Sequence, residues 1–464
     1  MWHLLSSVNK FKVIFAIQII VMSKILIIGA GRSSSSLIDY LLLQAKENTW
    51  QITIADADRN AVEAKITNYT DIATAVEFDV TNALLREKLI GHADFVISML
   101  PAFMHADVAK DCVRLGKHLA TASYVSTEMR ELDAEAKQKN ILLLNECGLD
   151  PGIDHASAMK MIHHIKSIGG KITGFKSFCG GLVAPESNDN PWGYKFSWNP
   201  RNVVLAGQGT AQFIDNGHLK FIPYNRIYTQ IQTIELEGYG KFDGYANRDS
   251  ISYKEPYELT DTTTMLRGTL RMPGYCKAWN VFVKLGLTDD TYKIKNADSL
   301  TYTQLIESFL PDGNAPVKVK LIAFMGTEMD EDVLTKLEYL ELFSNKPILL
   351  KEGSPAELLQ HLLEEKWLLK PGDKDMIVMQ HQFEYQLNGV YKQLNSSLVV
   401  IGDNEVHTAM AKTVGLPLAI SVKNFLTGKF KLYGVQIPTV KEIYEPMLEE
   451  LETLGVKFME KEII

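Results

Sequence analysis

Apolar and polar positions divide the chain into regions of different period. From Met22 to Gly148, short apolar runs alternate with stretches of helical spacing. KILIIG (24–29) reads as a core strand ending in glycine, and Ser33 to Lys46 places Leu37, Ile38, Leu41, Leu42 and Ala45 on one helix face. QITIAD (51–56) predicts a second strand and Asp58 to Tyr69 a helix. AVEFDV (75–80), ADFVISML (93–100), KHLATAS (117–123) and ILLLNE (141–146) predict further strands. This β-α-β repetition predicts a parallel, doubly wound sheet. After Gly148 the pattern changes. KITGFKSFC (171–179) and IYTQIQTIELEGY (227–239) alternate like strands, and Gly169-Gly170 and Asn216-Gly217 read as turns. Residues 286 to about 372 are mostly helical in pattern, with Ser354 and Pro355 opening PAELLQHLLEE. DMIVMQHQFEY (375–385) and VYKQLNSSLVVI (390–401) flank Asn388-Gly389, a hairpin signal. HTAMAKTVGLPLAISVKNFL (407–426) predicts a long helix that packs back on the first region.

The chain has 464 residues, which predicts two to three domains. Its net charge is −8 with no basic run, which argues against a nucleic-acid partner. Cys112, Cys147, Cys179 and Cys276 form no CxxC pair, so neither a disulfide scaffold nor a zinc site is expected, and a reducing cytoplasmic setting fits. VIFAIQIIVM (13–22) is too short to span a bilayer, which takes about 20 residues. No small-residue cleavage site follows it, so residues 1–22 are expected to be an extension ahead of the ordered protein and no membrane partner is expected. The histidines show no metal-ligand spacing, and no metal is expected.

Gly29-Ala30-Gly31 lies where the first strand meets the first helix. Gly29 allows a tight turn, Gly31 admits a pyrophosphate, and the helix N-terminus offers free N–H groups. The pattern is GxGxxS, with Ser34 in place of a third glycine. In this context it points to a dinucleotide. Asp56 ends the second strand, where a carboxylate accepts hydrogen bonds from ribose hydroxyls and repels a 2′-phosphate. That favours NAD, with NADP as the alternative and Arg32 or Arg59 as its phosphate ligands. Capping of the next helix is the other reading of Asp56. Asp79 is placed to border the adenine or simply to end its strand.

Seven blocks then match one family in order: TASYVS (121–126), NECGLDPGIDH (145–155), FCGGLVAPESNDNPWGYKFSW (178–198), NRDS (247–250), YKEPY (253–257), RGTLRMPGY (267–275) and QHQFEY (380–385). The chain resembles saccharopine reductase, the glutamate-forming saccharopine dehydrogenase of lysine metabolism, from Met22 to its end. The resemblance implies an α/β protein: a Rossmann-type domain over 23–148, completed by about 403–464; a saccharopine-binding mixed α/β domain over 149–285 with 375–402; and a small all-α domain over 286–374. It also implies a homodimer. The implied reaction interconverts saccharopine with glutamate and α-aminoadipate semialdehyde, with a hydride moved at the glutamyl α-carbon and an imine hydrolysed by water.

The resemblance carries substrate contacts onto Ser123, Tyr124, Asp150, Arg248, Thr269, Leu270 and Arg271. It carries cofactor contacts onto Leu149, Asp150, Pro151 and Asn199, and the expected cofactor set also takes in Gly29, Gly31, Arg32, Ser33, Ser34, Asp56, Asp79, Val80, Leu100 and Pro101. Saccharopine has three carboxylates, so Arg248 and Arg271 suit it as bidentate donors. Asp150 is placed to anchor an ammonium, to move a proton, or to cap the helix near Ile153. Tyr124 hydrogen-bonds substrate, assists proton transfer or packs in the core. Cys179 falls near the reacting carbon, as a proton shuttle or as packing. His155 reads as a helix-capping or core residue rather than a base. Ala102 stands where many family members carry tyrosine. The alternatives are a related NAD-dependent amino-acid dehydrogenase, acting on lysine or carboxynorspermidine, or a non-catalytic nucleotide-binding protein on the same fold.

Overall fold

The computed structural model describes residues 22–206 and 208–463. The expected extension, 1–22, lies outside the described residues apart from Met22. The chain begins with β1 (Lys24–Ile28), α1 (Ser35–Asn48), β2 (Gln51–Asp56), α2 (Arg59–Ile66), β3 (Ala73–Glu77) and α3 (Ala83–His92). It continues with β4 (Phe95–Ser98), α4 (His105–Leu115), β5 (His118–Thr121), α5 (Thr127–Glu131), α6 (Asp133–Gln138) and β6 (Leu142–Leu144). Next come α7 (Ile153–Ser167), β7 (Lys171–Val183), α8 (Pro200–Val204), β8 (Ala211–Asp215), β9 (His218–Ile222), β10 (Ile231–Leu236), β11 (Gly240–Ala246), β12 (Thr264–Arg271) and α9 (Tyr275–Leu285). Then follow β13 (Ile294–Lys295), α10 (Tyr302–Glu307), α11 (Val317–Met325), α12 (Glu331–Tyr339), β14 (Glu352–Gly353) and α13 (Pro355–Trp367). The chain closes with β15 (Asp375–Leu387), β16 (Val390–Ile401), α14 (Ala409–Leu426), β17 (Gly434–Gln436), α15 (Lys441–Thr453) and β18 (Met459–Ile463).

The first sheet has seven strands in the order β17-β6-β5-β4-β1-β2-β3, all parallel. Its central strands are buried on both faces, which is why they read as continuous apolar runs. Strand order reverses between β1 and β4, leaving a crevice at their carboxyl ends. The second sheet is mixed, with the path β10-β11-β12-β7-β15-β16-β18. At its centre, β7 runs parallel to β12 and antiparallel to β15. The hairpin turns carry Asn216 and Gly217 at φ +48° and +80°, and Asn388 and Gly389 at +52° and +79°. Positive φ at both central residues gives the turn twist that two-residue hairpins need.

α7, α14 and α15 share one apolar core with the first sheet and one face of the second. α14 lies against α1 so closely that a Cβ at Gly415 would meet the Leu37 amide nitrogen at 2.8 Å. The other face of the second sheet and the helices between β12 and β15 form a second core. Its centre is aromatic: Trp192, Tyr194, Tyr275, Trp279 and Trp367 pack edge to face or stacked, each fully or nearly fully buried.

Three expectations change. The 227–239 segment starts as 3-10 turns over Tyr224–Thr229, so its strand begins only at Ile231. The region read as all-α contains the short antiparallel pair β13 and β14. β18, read as part of the first unit, pairs with β16 in the second sheet. Among the described residues, no helix is long and apolar enough to cross a membrane.

Trp367 packs on the rings of Trp192, Tyr194, Phe196, Tyr275 and Trp279. Trp367→Ala is expected to lower stability by about 3–5 kcal/mol, read as a shifted midpoint in chemical denaturation.

Candidate active site

The Gly29-Ala30-Gly31 turn faces the crevice. Gly29 has φ +98°, and a Cβ there would press on the Met99 carbonyl oxygen at 3.0 Å. Protein packing does not require glycine at position 31, where a Cβ would meet nothing within 4 Å. The open space suits a pyrophosphate approaching the backbone. Ser34 fits at the third position because its hydroxyl donates to the Gly31 carbonyl at 2.7 Å. Asp56 does not cap the next helix; Asp58 does, accepting from the Ala61 amide. Instead Asp56 accepts from the Ala30 N–H at 2.6 Å, and Lys65 donates to the Ala30 carbonyl at 2.7 Å. Both polar backbone groups of the turn's central residue are thus fixed from β2 and α2. Arg59 is committed to Glu63 at 2.7 Å. These residues fit a nicotinamide nucleotide. When bound, that cofactor supplies a hydride acceptor or donor.

A cavity of about 230 Å³ opens between the ends of β5 and β6 and the strand β12. It brings together Tyr124, Asp150 and Arg248 from the expected set, with Arg130, Glu146, Tyr253 and Arg267, which the sequence did not single out. Asp150 sits in a tight loop, where a Cβ at Gly152 would collide with the Gly148 backbone at 2.0 Å. Asp154, not Asp150, accepts the Gly152 N–H at the start of α7.

Arg267 organises this end of the cavity. Its Nη2 lies 2.8 Å from Asp150 Oδ1, 2.7 Å from Asp154 Oδ2 and 3.2 Å from the Tyr124 hydroxyl. Its guanidinium also stacks on Tyr253, 4.3 Å from the ring centroid. Tyr124 donates to Asp150 Oδ1 at 3.0 Å. Burial, then the Asp154 charge, push the Asp150 carboxyl above its ordinary value against the pull of Arg267. For Asp154 burial again pushes up, but His155 and Arg267 hold it below. Burial raises the Tyr124 phenol, so it stays a donor.

Glu146 supports the opposite wall in a left-handed backbone conformation, φ +54°. It accepts from the Val125 N–H at 2.9 Å and the Tyr253 hydroxyl at 2.9 Å, and contacts His155 at 2.8 Å. His155 is a core residue, as expected, with Tyr257 on its other nitrogen. His105 links Ser98 to Ser123 and Thr121, and burial pushes its imidazole down to about 4. It therefore positions the Ser123 hydroxyl as a neutral ring.

The remaining expected residues fall elsewhere. Thr269 faces Cys179 across the β7–β12 register. Burial raises the Cys179 thiol well above its usual value, so it is not a thiolate. Leu270 is fully buried. Arg271 lies outside the cavity lining, 4% exposed, among the rings of Tyr194 and Tyr275. Its Nη1 donates to the Leu270 carbonyl, and its Nε has no partner. Asn199 caps α8 by accepting from the Arg201 amide. Asp79 is exposed and accepts from Thr81. Ala102 and Phe103 are exposed beside Pro101, Phe103 at 79%. Among the described residues, no histidine, cysteine or carboxylate cluster could hold a metal.

The chain matches the family model described as saccharopine dehydrogenase NADP binding domain over residues 25–144, and saccharopine dehydrogenase C-terminal domain over 148–456. The chain belongs to the saccharopine dehydrogenase family. Its relatives include saccharopine dehydrogenase [NADP(+), L-glutamate-forming] of Schizosaccharomyces pombe, 34% identical over 96% of this chain and 99% of that protein. The apo saccharopine dehydrogenase (L-Glu forming) structure from Saccharomyces cerevisiae superposes with a TM-score of 0.85 at 31% identity, covering 95% of this chain and all of that one. Alpha-aminoadipic semialdehyde synthase of Mus musculus is 35% identical over 95% of this chain, which spans 48% of that longer protein.

Arg267→Met leaves two buried carboxylates without their shared cation. The variant is expected to lose about 3–5 kcal/mol of stability at neutral pH. The loss should shrink at pH 5, because the orphaned carboxyls, raised in the folded state, take up protons as pH falls. Thermal unfolding at both pH values checks this, and a loss independent of pH contradicts it.

Proposed function

We propose that the chain oxidises saccharopine with a nicotinamide nucleotide and water, releasing glutamate, α-aminoadipate semialdehyde, reduced nucleotide and a proton. The carrying observation is the cavity itself. It joins an upward-shifted Asp150 and a hydrogen-bonded Tyr124 to guanidinium groups, beside the nucleotide crevice. A related amino-acid dehydrogenase without a tricarboxylate substrate would have little use for Arg248 and a buried Arg271 that lacks any carboxylate.

The products fix the reacting atom. Glutamate leaves with its nitrogen and α-carbon intact. The carbon that gives up hydride is therefore the methylene that becomes the aldehyde, on the aminoadipyl side of the bridging nitrogen. This corrects the expected hydride at the glutamyl α-carbon, which would release lysine and 2-oxoglutarate. Asp150 takes the proton from the bridging ammonium so that the nitrogen lone pair can drive hydride loss. Asp150 gives that proton up to solvent. The C=N bond formed is attacked by water, whose proton passes to the freed carboxylate. Asp150 then hands this proton to the bridging nitrogen while the hydroxyl proton leaves to water. The carbinolamine collapses with the amine of glutamate as leaving group. Tyr124 and Arg267 orient Asp150 throughout. Arg248 and Arg271 hold carboxylates, Arg271 with the Nε that no protein atom satisfies.

NAD is the proposed cofactor. Asp56 ends β2 beside the glycine turn, where its charge would repel a 2′-phosphate, and Arg59 is paired with Glu63. The dimeric form rests on the family resemblance, and the cytoplasmic setting on four buried, unpaired cysteines that fit a reducing compartment.

Steady-state oxidation of saccharopine with each nucleotide tests the reading. A kcat/KM ratio of at least about tenfold for NAD over NADP is expected, falling in Asp56→Ser. Preference for NADP would overturn the role of Asp56, and no turnover with either would overturn the function. Asp150→Asn is expected to lower kcat/KM by about 10²–10⁴. It should also abolish the acid limb of the wild-type profile, where activity falls as Asp150 gains a proton.

A further inference from the structure

Lys65, on α2, belongs to none of the expected contacts. It is half-buried, and burial pushes its ammonium below its ordinary value against the pull of Asp39 and Asp56. Yet its hydrogen bond runs to a neutral group, the Ala30 carbonyl, at 2.7 Å. Asp39 faces His407 instead, and Asp56 accepts from the amides of Ala30 and Asp58. Desolvating an ammonium costs free energy, and here the compensating bond goes to one peptide group of the glycine turn.

That peptide joins Ala30 to Gly31. It is planar and trans, so its carbonyl and its N–H point in opposite directions. With the carbonyl drawn toward α2, the Gly31 N–H points away from α2. Among the described residues this amide has no acceptor, nor have the amides of Arg32 and Ser33 that follow it. The Ala30 amide is taken by Asp56. Three successive N–H groups are therefore left for a pyrophosphate, and Gly31 supplies the first. Gly31 has φ −67°, but glycine accepts φ of either sign, so this peptide can turn over at little steric cost. Turned over, it would show the pyrophosphate a carbonyl oxygen in place of a donor.

We infer that Lys65 is a positioning residue for the nucleotide: by holding the Ala30 carbonyl it keeps the Gly31 N–H facing the pyrophosphate. The inference rests on the nicotinamide-nucleotide reading of the crevice and not on the identity of the amino-acid substrate.

Lys65→Met keeps the aliphatic stem and removes the donor. Fluorescence titration with NADH and with NADPH measures binding without turnover. Both dissociation constants are expected to rise by about tenfold or more, and by the same factor, because the pyrophosphate is common to the two. In saccharopine oxidation the KM for nucleotide is expected to rise with them, while kcat at saturating nucleotide changes far less. Lys65→Arg restores a donor and is expected to recover part of the affinity. An unchanged NADH dissociation constant in Lys65→Met overturns the inference. A loss confined to NADPH also overturns it, since Lys65 would then be a ligand of the 2′-phosphate. Wild-type protein that binds neither nucleotide would overturn the reading of the crevice, whereas nucleotide binding without turnover of saccharopine would overturn only the proposed reaction.

Discussion

One guanidinium nitrogen holds the two halves of the site together. Arg267 Nη2 reaches Tyr124, after β5, and both Asp150 and Asp154, after β6, while its own backbone belongs to the second sheet. A charge placed there is tolerable only because it is fully paired; desolvating a lone arginine would cost several kcal/mol. The pairing works in the other direction as well. Burial and the neighbouring Asp154 charge push Asp150 up; against the same burial, His155 and Arg267 hold Asp154 down. Asp150 is left with a raised proton affinity. The same contact that docks the second sheet onto the first also fixes the position of the Asp150 carboxylate.

The parallel sheet was legible because its strands are buried on both faces and its helices on one. Those two constraints write themselves into the sequence as continuous runs and as 3.6-residue spacing. The two Asn-Gly hairpins were legible because few residues accept positive φ. Legibility failed where pairing partners are distant in sequence. Nothing in MEKEI (459–463) says that it adds to the second sheet, since every one of its residues is exposed and its strand is defined only by backbone bonds to β16. The 3-10 turns at Tyr224–Thr229 were misread for a similar reason. Alternation over a few residues fits a 3-10 turn nearly as well as a strand.

In the site, the sequence indicated the loops and the family blocks indicated residues within them. Asp150, Tyr124 and Arg248 do meet in one cavity. Arg267 and Glu146 lie within quoted blocks yet were passed over. A buried arginine on a strand looks no different from its neighbour Arg271 until its partners are known. Glu146 leaves one mark in the geometry, a left-handed backbone at a residue other than glycine, and that is visible only in three dimensions. Cys179 shows the opposite case. Its position beside two glycines suggested reactivity, but its surroundings keep the sulfur protonated.

The place of β17 has a consequence for how the chain is made. This strand, Gly434–Gln436, completes the first sheet by pairing with β6, Leu142–Leu144. During synthesis the edge of β6 stays open while all of the second sheet except β18 emerges, and α14 arrives to cover α1 only at the same late stage. The nucleotide-binding half begins first, yet its sheet closes only near the end of the chain. Closing contacts of such long sequence separation is slow. A ribosome-bound chain of this protein therefore carries an exposed parallel edge for most of its elongation, and chaperones have their longest opportunity to bind there.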